Sequence, residues 1–135
     1  MNLFSYILTA RPKTLPAAIV PVWLGCVLAW YLSGEFHGWL AFCTLMGAIW
    51  IQIGTNFFND AIDSDKGADT ENRLGPMRAT ASGVLSRRAV YSAAIVCLLI
   101  AAGFGYCLFQ ARGWTIVAIG IPSLYLCYGY TGGPW

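Results

Sequence analysis

Between Asn59 and Asp69 the chain sets Asp60, Asp63, Asp65 and Asp69 within ten residues, directly after a long apolar run. Ionised carboxylates crowded at a bilayer boundary repel one another and need neutralising partners. A hard divalent cation does this most economically, and magnesium in particular couples one or two carboxylates to substrate phosphates. Asp60 and Asp63, three residues apart, point the same way on a helix and can share one cation or hold two neighbouring ones. Asp65 and Asp69 lie just beyond, where that helix is expected to end, and Glu71 follows. A calcium-binding EF-hand is excluded: counting from Asp63, the glycine falls at position five, not six, and no glutamate stands at position twelve. A merely solvated acidic loop is disfavoured, because solvated charge runs seldom begin inside a polar stripe of an apolar helix.

That stripe is made by Gln52, Asn56, Asn59, Asp60 and Asp63, which recur at steps of three and four and so line one helix face. In a spanning helix it should face the bundle interior, leading from a buried pocket to the acidic cluster. Interhelical hydrogen bonding by Gln52 and Asn56 alone is the other reading, and it leaves the aspartates unexplained. Lys66, Arg73 and Arg78 lie near the cluster, around Gly75-Pro76. Carboxylates for a metal beside guanidinium groups suit a diphosphate, which needs both. Arg87 and Arg88 stand at the start of the next apolar run, where anchoring at the membrane surface is expected.

The elements that must position these residues are helices in a membrane. Of 135 residues, 58% are hydrophobic and 10% charged, with a mean hydropathy of +0.61, outside the range of an ordinary soluble domain. Residues 15–32, 39–58, 90–109 and 114–130 contain no Asp, Glu, Lys or Arg, and at about 1.5 Å per residue they can cross roughly 30 Å of hydrocarbon. The expected fold is an all-α integral membrane bundle of about four spans, a single domain over residues 1–135, with an active-site loop at 59–89. The first run is too long for a signal-peptide core and holds Pro16 and Pro21. Seven of the eight basic residues precede the first run or lie in the 59–89 loop, which places the amino terminus, that loop and the carboxyl terminus in the cytoplasm.

Pro16, Pro21 and Pro122 are candidate kinks. Gly47, Gly54, Gly103 and Gly105 would allow helices to approach closely. Ser86 is the expected N-cap of the third span. Cys26, Cys43, Cys97, Cys107 and Cys127 read as small packing residues, and His37 as a solvated turn residue.

Assembled in this way, the chain resembles the UbiA superfamily of intramembrane prenyltransferases, and within it the 1,4-dihydroxy-2-naphthoate polyprenyltransferases of menaquinone biosynthesis. The resemblance rests on Ala10-Arg11-Pro12-Lys13-Thr14-Leu15-Pro16, Gly54-Thr55-Asn56-Phe57-Phe58-Asn59-Asp60, Gly75-Pro76-Met77-Arg78-Ala79-Thr80-Ala81-Ser82-Gly83 and Tyr130-Thr131-Gly132-Gly133-Pro134. The superfamily's NDxxDxxxD motif is matched by Asn59, Asp60 and Asp63, while its last position here is Gly67. Asp69 looks like the substitute, which leaves Asp65 and Asp69 as alternatives for the third ligand.

The resemblance implies that Mg2+ held by Asp60, Asp63 and Asp69 binds the diphosphate of a polyprenyl diphosphate. It makes Asp60, Asp63 and Arg78 the residues expected to carry catalysis, with Asn56, Asn59, Lys66, Arg73 and Arg78 binding substrate. Loss of diphosphate leaves an allylic cation, which the 1,4-dihydroxy-2-naphthoate ring attacks with loss of carbon dioxide to give demethylmenaquinone. The implied location is a bacterial inner membrane, with lipid and no nucleic acid as partner.

Two departures temper this. The family has about nine helices and a second aspartate motif, whereas here no Asp or Glu follows Glu71. The sequence is expected to be a piece of a longer protein or a truncated product, and to be inactive alone. The CDP-alcohol phosphotransferase pattern DxxDGxxAR fails at Ser64. A non-enzymatic cation-binding transporter or assembly subunit is the alternative from another class.

Overall fold

The computed structural model describes residues 3–66, 79–80 and 82–133. Its regular elements are all helical: α1 (Leu3–Ala10), a 3-10 turn (Pro12–Thr14), α2 (Pro16–Ser33), α3 (Gly38–Asp65), α4 (Arg87–Arg112) and α5 (Trp114–Gly132). The expected all-α bundle is what forms.

Local chemistry sets the breaks. Arg11 adopts a left-handed backbone at φ 50°, which turns the chain between α1 and the 3-10 segment. Pro16 starts α2 rather than kinking it, since a first-turn residue has no helical N–H bond to lose. Gly34, at φ 72°, ends α2, with its N–H donating to Trp30 O at 2.8 Å. Ser86 caps α4 as expected, its hydroxyl accepting from the Ala89 N–H at 3.3 Å.

α3 is the central post, packing against every other α-helix and most extensively against α4. It continues past Phe58, the expected end of its span, to Asp65, so the stripe from Gln52 to Asp63 is helical throughout. Gly54 makes the close packing with α4 and α5: a Cβ there would lie 3.3 Å from Cys97 Cβ, 3.4 Å from Cys127 Sγ and 3.5 Å from the Ala94 carbonyl. The cysteines at this crossing are small packing residues, as expected. Gly103 and Gly105, by contrast, face open space.

The buried core lies at one end of the bundle, around Phe57, Phe58, Ile62, Leu85 and Val90. Phe58 meets Tyr91 and Tyr128 edge to face, with ring centroids 6.0 and 5.6 Å away. α2 has no buried residue at all, an arrangement that hydrocarbon tolerates and water does not. Toward the α2–α3 turn the two helices leave an apolar groove of about 440 Å³ walled by Trp23, Cys26, Trp30, Phe36 and Leu45.

Three helices, α2, α3 and α4, are long and apolar enough to cross a membrane. The sequence predicts four. α5 has 19 residues, but its glycines, tyrosines, Ser123 and Pro122 dilute its hydropathy. α1 was not foreseen. It turns Ser5 and Thr9 inward and exposes Leu3, Phe4, Ile7 and Leu8.

Candidate active site

Four helix ends converge where α3 finishes: the carboxyl ends of α1, α3 and α5 and the amino end of α4. The polar stripe of α3 supplies the bonds that hold them together.

Asn56 is buried and uses both amide hydrogens, donating to Ala10 O at 2.7 Å and Thr14 Oγ1 at 2.9 Å. Gln52 Nε2 also reaches Thr14 Oγ1, at 3.4 Å, and that hydroxyl donates onward to Arg11 O at 2.9 Å. Gln52 and Asn56 therefore stitch the turn before α2 onto α3, the interhelical role that was the plainer of their two readings. Asn59 Oδ1 accepts from the Thr131 hydroxyl, and Lys66 Nζ donates to Thr131 O at 2.6 Å, so the end of α5 is tied at two points.

Asp60 is 2% exposed. A carboxylate so withdrawn from water must be compensated, and the returning limb of the loop does this. Ala79 N–H donates to Oδ2 at 3.2 Å, Thr80 N–H donates to Oδ1 at 3.0 Å, and the Thr80 hydroxyl donates to the same Oδ1. The limb is braced in turn by Val84 N–H and Leu85 N–H, each donating to Ala79 O at 3.1 Å, and by Gly83 at φ 71°.

Asp63 lies one helical turn on and is half-buried. Asp65 is engaged elsewhere: it pairs with Arg87 and accepts from the Tyr91 hydroxyl at 3.1 Å, while the Arg87 guanidinium sits 5.9 Å from the Tyr91 ring centroid. Arg87, expected at the lipid surface, is thus also a clasp between α3 and α4.

Asp69, Arg73 and Arg78, all expected at the site, lie outside the described residues. Among the described residues no three His, Cys, Asp or Glu side chains gather into a metal cage. The donor chemistry nevertheless fits magnesium, which keeps several waters and binds through one or two carboxylates plus substrate phosphates rather than an all-protein cage. Asp60 and Asp63 supply such a pair on one face of α3. Sequence reasoning assigned no role to Thr14, Thr80, Tyr91 or Thr131. The one local signal was the spacing of Arg87 and Tyr91, four apart on one helix.

The UbiA prenyltransferase family matches residues 18–135. The chain belongs to that family. Among curated relatives, it is 35% identical over 125 residues to the 1,4-dihydroxy-2-naphthoate octaprenyltransferase of Bacillus subtilis, covering 92% of this chain and 40% of the relative. The protein of the same description from Mycobacterium tuberculosis is 36% identical over 124 residues, 92% of this chain and 42% of the relative. A 2-carboxy-1,4-naphthoquinone phytyltransferase of Synechocystis is 29% identical over 126 residues, 93% of this chain and 40% of the relative. The chain thus spans about two fifths of these UbiA relatives. No solved structure matches it significantly.

Proposed function

We propose that this chain forms part of an aromatic prenyltransferase that moves a polyprenyl group from its diphosphate to 1,4-dihydroxy-2-naphthoate. Diphosphate and carbon dioxide are lost and the product forms as the hydroquinone, demethylmenaquinol, which a separate oxidation converts to demethylmenaquinone. The observation that carries the reading is the pair Asp60 and Asp63 on the inward stripe of α3, in a UbiA chain whose relatives bear naphthoate prenyltransferase names.

In this reading Asp60 and Asp63 would hold Mg2+, with Asp69 completing the carboxylate set, and the metal would neutralise the diphosphate of the substrate. Asp65 is the weaker alternative, because Arg87 and Tyr91 already engage it. Bound there, magnesium would supply charge stabilisation to the departing diphosphate. Arg78, with Lys66 and Arg73, binds the remaining phosphate oxygens. Lys66 does so from the rim, where it now meets Thr131 O. Asn56 and Asn59 hold the neighbouring segments around the site through Ala10, Thr14 and Thr131. The apolar helices exclude water from the allylic cation, which water would otherwise trap as an alcohol.

We place the protein in a bacterial inner membrane, with the acidic end of the bundle and the amino terminus in the cytoplasm, where the basic residues concentrate. The acidic groups of residues 1–135 end at Glu71, and we propose that these residues do not turn over by themselves.

The test is binding, then turnover. In nanodiscs, the affinity of this chain for Mg2+ should rise steeply when a non-hydrolysable prenyl diphosphate is added, and Asp63→Asn should abolish that rise. Metal binding indifferent to the diphosphate would instead support a cation-binding transporter or assembly subunit. Co-expression with the part of the Bacillus subtilis relative that this chain does not cover should yield demethylmenaquinone, and the chain alone should yield none.

A further inference from the structure

We propose that Thr80 is a positioning residue for the metal site, acting through Asp60. The inference rests on the magnesium reading above and assigns the site a residue from the far side of the loop.

An ionised carboxylate offers about four lone-pair sites on two oxygens. Thr80 takes two on Oδ1, one with its N–H at 3.0 Å and one with its hydroxyl. Ala79 takes one on Oδ2 at 3.2 Å. Oδ1 is therefore the anchored oxygen, and Oδ2 is the oxygen with acceptor capacity left among the described residues. Two bonds on one oxygen and one on the other also stop the carboxylate from rotating about its Cβ–Cγ bond. The turn that carries Thr80 is itself fixed by Leu85, which is 6% exposed in the core and donates its N–H to Ala79 O. Thr80 thus connects a rigid core position to the orientation of a buried ligand oxygen. Outer partners of this kind set ligand geometry, and their loss typically weakens metal binding about 10- to 100-fold. The backbone N–H bonds do not depend on the side chain, so the hydroxyl is the part of this arrangement that substitution can remove cleanly.

The experiment uses the whole chain in nanodiscs, with Mn2+ as a paramagnetic probe whose free signal falls on binding, in the presence of a non-hydrolysable prenyl diphosphate. Thr80→Val and Thr80→Ala should each weaken Mn2+ binding about 10- to 100-fold, with helix content unchanged by circular dichroism. Thr80→Ser, which restores the hydroxyl, should bind within about threefold of the parent chain. If Val unfolds the turn, the Ala and Ser pair still decides. Parent-like affinity in Thr80→Ala, or failure of Ser to rescue, overturns the role of Thr80. When Asp63→Asn abolishes binding but Thr80→Ala does not alter it, the metal reading stands and this inference alone falls. If the parent chain binds no Mn2+, both fall.

Discussion

Lys66 Nζ donates to the main-chain carbonyl of Thr131 at 2.6 Å, across 65 residues of sequence. The bond joins the last turn of α5 to the residue just past the end of α3. Thr131 also offers its hydroxyl to Asn59, so one residue holds two neighbours from the polar end of α3. Thr131→Val removes the hydroxyl bond and leaves the carbonyl in place. The expected cost is about 1 kcal/mol, read as a lowered thermal midpoint in nanodiscs, with Lys66→Met adding to it. An unchanged midpoint in the double variant would show that α5 is held by apolar packing alone.

Asp65 separates clasp from ligand. Asp65→Asn should lower stability by about 0.2–1 kcal/mol, the range for exposed ion pairs, because the Arg87 side chain in this pair is 62% exposed. Metal affinity should stay near that of the parent, in contrast to Asp63→Asn. A large loss of metal affinity in Asp65→Asn would return Asp65 to the ligand set in place of Asp69.

Asn56→Leu leaves the Ala10 carbonyl without its donor and the Thr14 hydroxyl with only the longer bond from Gln52, at 3.4 Å. Loss of that buried pairing should cost about 1–3 kcal/mol. Its local signature should be faster proteolysis between α1 and α2, while α3 and α4 stay protected. Uniform protection throughout the variant would mean that α1 is held by the contact of Tyr6 with Phe57, ring centroids 6.3 Å apart, rather than by Asn56.

Gly54→Leu tests the three-helix crossing. With Cys97, Cys127 and the Ala94 carbonyl all within 3.5 Å of the position a Cβ would take, a branched side chain must push α4 and α5 away. Overpacking of this kind costs about 1–3 kcal/mol. It should also expose Cys97 and Cys127 to maleimide labelling. Gly103→Leu, in open space, should do neither.

The sequence showed what local patterns encode and little of what distant residues supply. The runs at 39–58 and 90–109 lie within α3 and α4 because a charge-free stretch in a chain this apolar has few alternatives to a helix. The cap at Ser86 was legible because it acts three residues away. α1 was not, since eight residues without charge or punctuation look like any lead-in to a span. The inward stripe on α3 was visible as a period. Its partners were not, because Thr14, Thr80 and Thr131 are small hydroxyl residues whose use depends on where the chain returns. Arg87 looked like a surface anchor for the same reason: nothing near it in sequence announces Asp65. The carboxylates Asp60 and Asp63 stood out because charge at the edge of an apolar helix is costly wherever the fold places it.

The first helix hides hydroxyls and shows leucine, isoleucine and phenylalanine outward, the reverse of what a water-soluble protein would do. Acyl chains of the surrounding leaflet then become scaffolding, pressing this short wedge against the strap that Asn56 grips. A detergent that mimics those chains poorly should first unfasten Ala10 and Thr14 from Asn56, while the α3–α4 pair still stands.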